Sequence, residues 1–288
     1  MSNPTDIAEA LGLPRLPSSN SDTIGALLWA REVLQEHLNT TYAVRDPKGI
    51  EELKPVKIGG VDQWLHIRGR NRNNPVLLWL HGGPGGAVIG ALDAILRPWE
   101  DHFTLVVWDQ RQTGKSYYPE NDETDPLTVQ QFVEDTEEVI QYLRNYLRKE
   151  KLFVLGTSWG TVLGMKIVKF HPDWLHAYIG VGQVVCSIDA EKLLYQRLLE
   201  HAIENNENEL VAKIRLISPR LNLDFPDREK TAAENFLFVR RELSRLAGET
   251  LMRHLSFDKT IKMLNLDRLI SPHLEFTDIS NAIVGDEL

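Results

Sequence analysis

Disulfide chemistry is the first thing this sequence leaves out. One cysteine, Cys186, stands in 288 residues, so the chain can form neither a disulfide framework nor a multi-cysteine metal site. The opening MSNPTDIAEALGLPRLP has no basic segment followed by an apolar one, so no secretory signal is visible. The longest apolar run near it, residues 24–30, is far too short to span a bilayer. A cytoplasmic setting and no membrane partner are therefore expected. Positive charge is also short: 32 Lys and Arg face 41 Asp and Glu, a formal net charge of −9. No basic stripe offsets it, which argues against a nucleic-acid partner. What remains, 42% hydrophobic and 25% charged residues, is ordinary for a globular chain with a large core. The length suits one big domain, or a domain carrying a large insertion.

Periodicity divides the chain into three parts. Residues 1–49 read as a loose arm, rich in Pro and Ser, and a helix from Asp22 to Leu38, with Ile24, Leu27, Leu28, Leu34 and Leu38 at helical spacing. Residues 50–186 read as an α/β core. PVKIGG and QWLHIRG form a hairpin about Gly59-Gly60, and PVLLWL (75–80) and FTLVVWD (103–109) are strands apolar enough to be buried on both faces. A helix near Ala91–Leu96 lies between them. Thr128 followed by Gln131 resembles a capping box, ahead of a helical face made by Phe132, Val133, Thr136, Ile140, Leu143 and Leu147. KLFVLG (151–156) is a strand, Trp159–Phe170 a helix stopped by Pro172, and AYIGVGQVV (177–185) a further strand. A hairpin followed by alternating strands and helices predicts a mostly parallel sheet covered on both faces. Residues 187–288 contain no convincing strand and read as a helical cap, with helices near 189–205, 208–217, 230–247 and 257–264.

Two glycine-rich stretches carry the chemistry. Gly156-Thr157-Ser158-Trp159-Gly160 is G-x-S-x-G, set where a buried strand must turn into a helix. Such a turn admits only small residues two before and two after the serine, and it lifts the hydroxyl above the sheet at a helix N-terminus. A serine that attacks a carbonyl creates an oxyanion, which needs backbone N–H donors aimed at it. Trp159 supplies one. The loop His81-Gly82-Gly83-Pro84-Gly85-Gly86, following a neighbouring strand, supplies the other. Its glycines let the backbone come close and Pro84 stiffens the path. Gly83 is the assigned donor, Gly82 supports the turn, and His81 at the strand end is a structural histidine rather than the base.

At this point LHGGPGG, VVWDQRQTGKS and VLGTSWGTVLG, in this order, resemble the proline iminopeptidase (prolyl aminopeptidase) branch of the α/β-hydrolase superfamily. The resemblance covers residues 50–185 with specific motifs; the cap agrees only in kind. It implies an α/β-hydrolase fold, Ser158 as nucleophile, Gly83 and Trp159 as the oxyanion hole, and no metal or organic cofactor. It also implies a small peptide, amide or ester as substrate. A carboxylesterase or amidase of the same fold is the alternative. Epoxide hydrolases are disfavoured, since their nucleophile is an aspartate.

The chain departs from the family in three places. Asp109-Gln110-Arg111 is followed by Gln112 where glycine is usual, and Asp109 and Arg111 are expected to be structural ion-pair residues. Every tryptophan lies at or before Trp174, so the Trp-rich cap segment of the best-known iminopeptidases is absent; Glu234, Glu242 and Glu249 are the cap glutamates available to bind an amino terminus. The triad acid and base are not evident. His171 and His176 lie at the wrong end of the sheet, His201 sits early in the cap, and His254 and His273 are the first to test. The simplest expectation is a chain truncated relative to its family, catalytically inactive alone, with the 177–185 strand left as an associating edge.

Overall fold

Ile58 and Val61 face each other across Gly59-Gly60, whose φ angles of +54° and +83° suit the left-handed turn that joins two right-twisted strands in two residues. The computed structural model describes residues 23–90, 92–119 and 127–217. The hairpin strands are β1 (Ile50–Ile58) and β2 (Val61–Gly69). Then come β3 (Val76–Leu80), β4 (Thr104–Asp109), β5 (Leu152–Thr157) and β6 (Leu175–Val181), joined in the order β1-β2-β4-β3-β5-β6. Strands β4, β3, β5 and β6 run parallel, and β2 is antiparallel to its neighbours on both sides. The expected mostly parallel α/β sheet is what forms.

Alternation along the central strands divides the core. Leu78, Leu80, Val106, Trp108 and Val154 point to one face, where Phe132, Ile140 and Leu143 of α3 (Val129–Tyr146) and Leu163 and Ile167 of α4 (Trp159–Phe170) cover them. Leu77, Leu105, Val107 and Leu155 point to the other and meet Ile89 and Leu96. That second face is covered by the segment after β3 and by α2 (Asp93–Leu96), a single turn. An N-terminal helix α1 spans Thr23–Tyr42, four residues past the expected end, and residues 1–22 lie outside the described ones. Arg68 on β2 ties its last turn to the sheet by donating to the Tyr42 carbonyl.

Two local expectations are corrected. Thr128 caps α3 by accepting the Gln131 N–H at 3.1 Å, but the Gln131 side chain turns to Asp135 at 2.9 Å, so only half a capping box forms. Strand β6 begins at Leu175 and ends at Val181, not at residue 185, because Gly182 adopts φ +61° and turns the chain away. A separate unit starts at Val184 and contains α5 (Ser187–Glu204) and α6 (Asn208–Ile217). These two helices bury Tyr195, Leu198 and Ala202 against Leu210 and Ile214, and the Tyr195 hydroxyl donates to the Ile214 carbonyl at 3.0 Å. The helices expected near 230–247 and 257–264 lie outside the described residues. Among the described residues no helix is long and apolar enough to cross a membrane.

Candidate active site

Strand pairing brings the sequence motifs together. Leu80, the last residue of β3, pairs with Gly156 in β5. The loop after β3 and the elbow after β5 therefore emerge side by side, one strand spacing of about 4.8 Å apart. Strand β4 flanks β3 on its other side and carries Asp109 and Gln110 to the same end of the sheet.

At the elbow Ser158 adopts φ +49° and ψ −115° between β5 and α4. A non-glycine residue held there stores strain, which persists only where its surroundings enforce it. They do. The Ser158 N–H donates to the Val181 carbonyl at 2.9 Å, and the Ser158 carbonyl accepts the Thr161 N–H at 2.9 Å and its hydroxyl at 2.6 Å. The two glycines of the motif are fixed by contact rather than by torsion. A Cβ on Gly156 would come to 2.6 Å from the Gly160 carbonyl oxygen, and one on Gly160 would overlap the Leu80 carbonyl. Ser158 itself is exposed. Among the described residues its hydroxyl has no histidine or carboxylate partner. His171 bonds Glu137 at 3.0 Å, His176 lies against Phe153, and His201 sits in α5 beside Asn205. His254 and His273, and the cap glutamates Glu234, Glu242 and Glu249, lie outside the described residues.

Gly82 is the loop residue set against Ser158: a Cβ on it would stand 3.3 Å from Ser158 Cβ and 3.9 Å from Ser158 Oγ. Gly83 follows at φ +114°, and its peptide bond to Pro84 is cis. The Gly82 carbonyl accepts from the Gly86 N–H at 3.3 Å and meets His81 Nδ1 at 2.7 Å. A trans peptide is planar, so holding that carbonyl aims the Gly83 N–H in the opposite direction. Trp159 occupies the first position of α4, where a backbone N–H has no acceptor within the helix.

His81 is wholly buried, and its protonation follows from its partners. The Gln110 backbone N–H donates to His81 Nε2 at 3.1 Å. A backbone amide can only donate, so Nε2 carries no proton and Nδ1–H is the donor to Gly82. With its basic nitrogen engaged, this imidazole orients the loop.

Residues 109–118 act as a bracket. Asp109, expected in an ion pair, instead accepts three backbone N–H groups: Val88 at 2.9 Å and Ile89 at 3.1 Å on Oδ1, and Lys115 at 3.1 Å on Oδ2. It fixes the segment beyond the glycine loop. Arg111 does form the expected ion pair, with Asp135. No local pattern in the sequence singles out Gln110, because only the fold brings its amide near both motifs.

The matched family model describes an alpha/beta hydrolase fold and covers residues 75–270. The chain belongs to the alpha/beta-hydrolase family. Within it the chain is similar to aminopeptidases and proline iminopeptidases. It is 38% identical over 157 residues to a probable aminopeptidase, YbaC, of Bacillus subtilis, covering 54% of this chain and 49% of that protein. It is 28% identical over 181 residues to the proline iminopeptidase of Lactobacillus helveticus, covering 62% and 57%. A proline iminopeptidase-related protein from Thermus thermophilus is 27% identical over 57% of this chain and 56% of that one, with a TM-score of 0.43. The chain spans about half the length of the curated relatives it matches.

Proposed function

We propose that this alpha/beta hydrolase is a serine hydrolase of the proline iminopeptidase-like type, releasing N-terminal residues from small peptides or amides. The observation that carries the reading is Ser158, enforced at φ +49° on a strand-to-helix elbow with Gly82 packed against it. In this mechanism Ser158 Oγ attacks the substrate carbonyl carbon while a general base, which His254 and His273 are the first candidates to supply, takes its proton and passes it to the departing amine nitrogen. The N–H groups of Gly83 and Trp159 take the negative oxygen, and the C–N bond breaks to release the amine. Water then attacks the acyl-Ser158 ester and frees the acid. No cofactor enters any step. Similarity to a probable aminopeptidase and to proline iminopeptidases supports an aminoacyl substrate.

A catalytically inactive chain is the second reading, favoured by the lack of a hydrogen-bonded base at Ser158 among the described residues. A fluorophosphonate probe separates the two. Labelling of the folded chain that is lost in Ser158→Ala supports the hydrolase, and turnover in that variant should fall by about 10⁴-fold or more. His254→Ala and His273→Ala then identify the base. A folded chain that takes no label supports the inactive reading. Proline, alanine and leucine β-naphthylamides, run beside short acyl esters, decide the substrate class. Ester turnover without amide turnover would move the protein to the carboxylesterases.

A further inference from the structure

Gln110 makes more directed contacts than filling a buried space requires. It is fully buried at the end of β4, and its backbone is anchored first: its carbonyl accepts the Thr113 hydroxyl at 2.6 Å and the Thr113 N–H at 3.1 Å. From that base the side-chain amide reaches in two directions. Nε2 donates to the His81 carbonyl at 3.3 Å, and Oε1 accepts the Trp159 indole N–H at 3.2 Å. The amide cannot be turned over, because that would set oxygen against oxygen and N–H against N–H.

The two partners are not arbitrary. Trp159 follows the nucleophile, and its ring is also held edge-on by Phe132 at 5.7 Å between centroids. His81 heads the glycine loop, and through its ring it fixes the Gly82 carbonyl and with it the direction of the Gly83 N–H. Strand β3 lies between β4 and β5, so nothing in the sheet pairing joins β4 to the elbow directly. The Gln110 amide spans that gap.

We propose that Gln110 is the positioning residue that holds the two sides of the oxyanion site in register. Its oxygen secures Trp159, and its nitrogen secures the His81 carbonyl at the head of the glycine loop. The inference rests on the serine-hydrolase reading, and it adds a residue that touches neither nucleophile nor substrate.

The test uses the full chain labelled with ¹⁵N-tryptophan. Seven tryptophans give seven indole signals, and Trp159→Phe identifies the one that matters. Gln110→Met keeps the volume and removes both bonds, and should move the Trp159 indole signal and speed its hydrogen exchange. Gln110→Glu is the conservative rescue. Protonated, its carboxyl offers one acceptor and one donor, as the amide does; ionised, it sets negative charge against the His81 carbonyl. Burial pushes the titration of such a carboxyl upward, so the variant should match the wild type near about pH 5 and depart from it by about pH 8. The wild-type signal should show no such titration.

Fluorophosphonate labelling of Ser158 should follow the same pattern. It should slow about 10- to 100-fold in Gln110→Met, and by a similar factor in Gln110→Glu only where the carboxyl is ionised. A role in packing alone would lower the melting temperature without tying the labelling rate to pH. An unmoved indole signal in Gln110→Met overturns the proposal, as does wild-type labelling in both variants. If Gln110→Met fails to fold, Gln110→Glu carries the test through its change between about pH 5 and about pH 8, and a variant that matches the wild type at both overturns the proposal. If the folded wild type takes no label, the hydrolase reading fails for this chain, and the Gln110 bridge is decided by the indole signals.

Discussion

The guanidinium of Arg111 meets the carboxylate of Asp135 on two sides, Nε to Oδ2 at 2.7 Å and Nη2 to Oδ1 at 2.8 Å, inside the protein. Each end has further partners. Gln63 and Gln131 donate to Asp135 at 2.8 and 2.9 Å, and Arg111 donates to the Gly59 carbonyl at 3.2 Å. The pair thereby links the segment after β4, helix α3 and the β1–β2 turn. Removing one charge leaves the other buried and uncompensated, whereas replacing both with apolar groups does not. Asp135→Asn is expected to destabilise the fold by about 3–5 kcal/mol in urea denaturation. The double change Arg111→Met, Asp135→Leu should recover most of that loss. Equal losses in single and double variants would count against the pair.

Asp135 also shows where the sequence stops being legible. Phe132, Val133, Thr136, Ile140 and Leu143 mark the buried face of α3 by their spacing alone, and all five are buried. Asp135 lies on that same face, but its partners are Arg111, 24 residues away, and Gln63, 72 residues away. No local pattern announces pairings that only the sheet order creates. The elbow and the glycine loop were legible because their requirements are local: a strand, a tight turn, and backbone too close for a side chain. Gln110 depends on three segments meeting, and so was not. The end of β6 is hidden for a related reason: GVGQVV reads as continuing strand, and the turn depends on one torsion at Gly182.

Gln112 presents a similar case, where the family's usual glycine is replaced. Its φ of +54° is one that glycine adopts without steric cost and other residues rarely do. The strain is offset locally. The Gln112 amide accepts the Tyr118 N–H at 3.1 Å and donates to the Tyr118 carbonyl at 3.4 Å. Gln112→Ala keeps the strained torsion and loses both bonds, while Gln112→Gly loses the bonds and relieves the torsion. The alanine variant should therefore be less stable than the glycine variant by about 1–2 kcal/mol in chemical denaturation. Equal stability would show that the torsion carries no cost.

Glu100 supplies a dependence on pH. Its side chain is buried, with Oε1 on Arg68 Nε at 2.5 Å and Oε2 without a hydrogen-bond partner among the described residues. Burial pushes its carboxyl above the ordinary range, and the neighbouring Arg68 only partly offsets this. The folded state therefore holds the Glu100 proton more tightly than the unfolded chain does. Its contribution to stability is full below the unfolded value of about 4.3 and is lost as pH rises through the folded one. Glu100→Gln removes the titration. The stability of the wild type relative to this variant should fall as pH is raised from about 4 to about 7, read from melts at a series of pH values. A difference that stays flat, or rises, would show that the carboxyl titrates normally.

The two edges of the sheet differ in how they are guarded. Strand β1 carries Glu51, Glu52, Lys54, Pro55 and Lys57 in nine residues, the charges and proline that deter another strand from adding to an edge. Strand β6 reads LHAYIGV, with no Lys, Arg, Asp, Glu or Pro. Among the described residues it pairs with β5 alone, and Ile179 and Val181 are 43% and 51% exposed. Unpaired backbone groups beside apolar side chains form a template for a further strand. The 288-residue chain is accordingly expected to self-associate, and Ile179→Lys to reduce that association by placing a charge on the open edge. Sedimentation velocity over a concentration series reads both outcomes. A wild type that stays monomeric throughout would show that the edge is covered, and association unchanged in Ile179→Lys would place the contact elsewhere on the molecule.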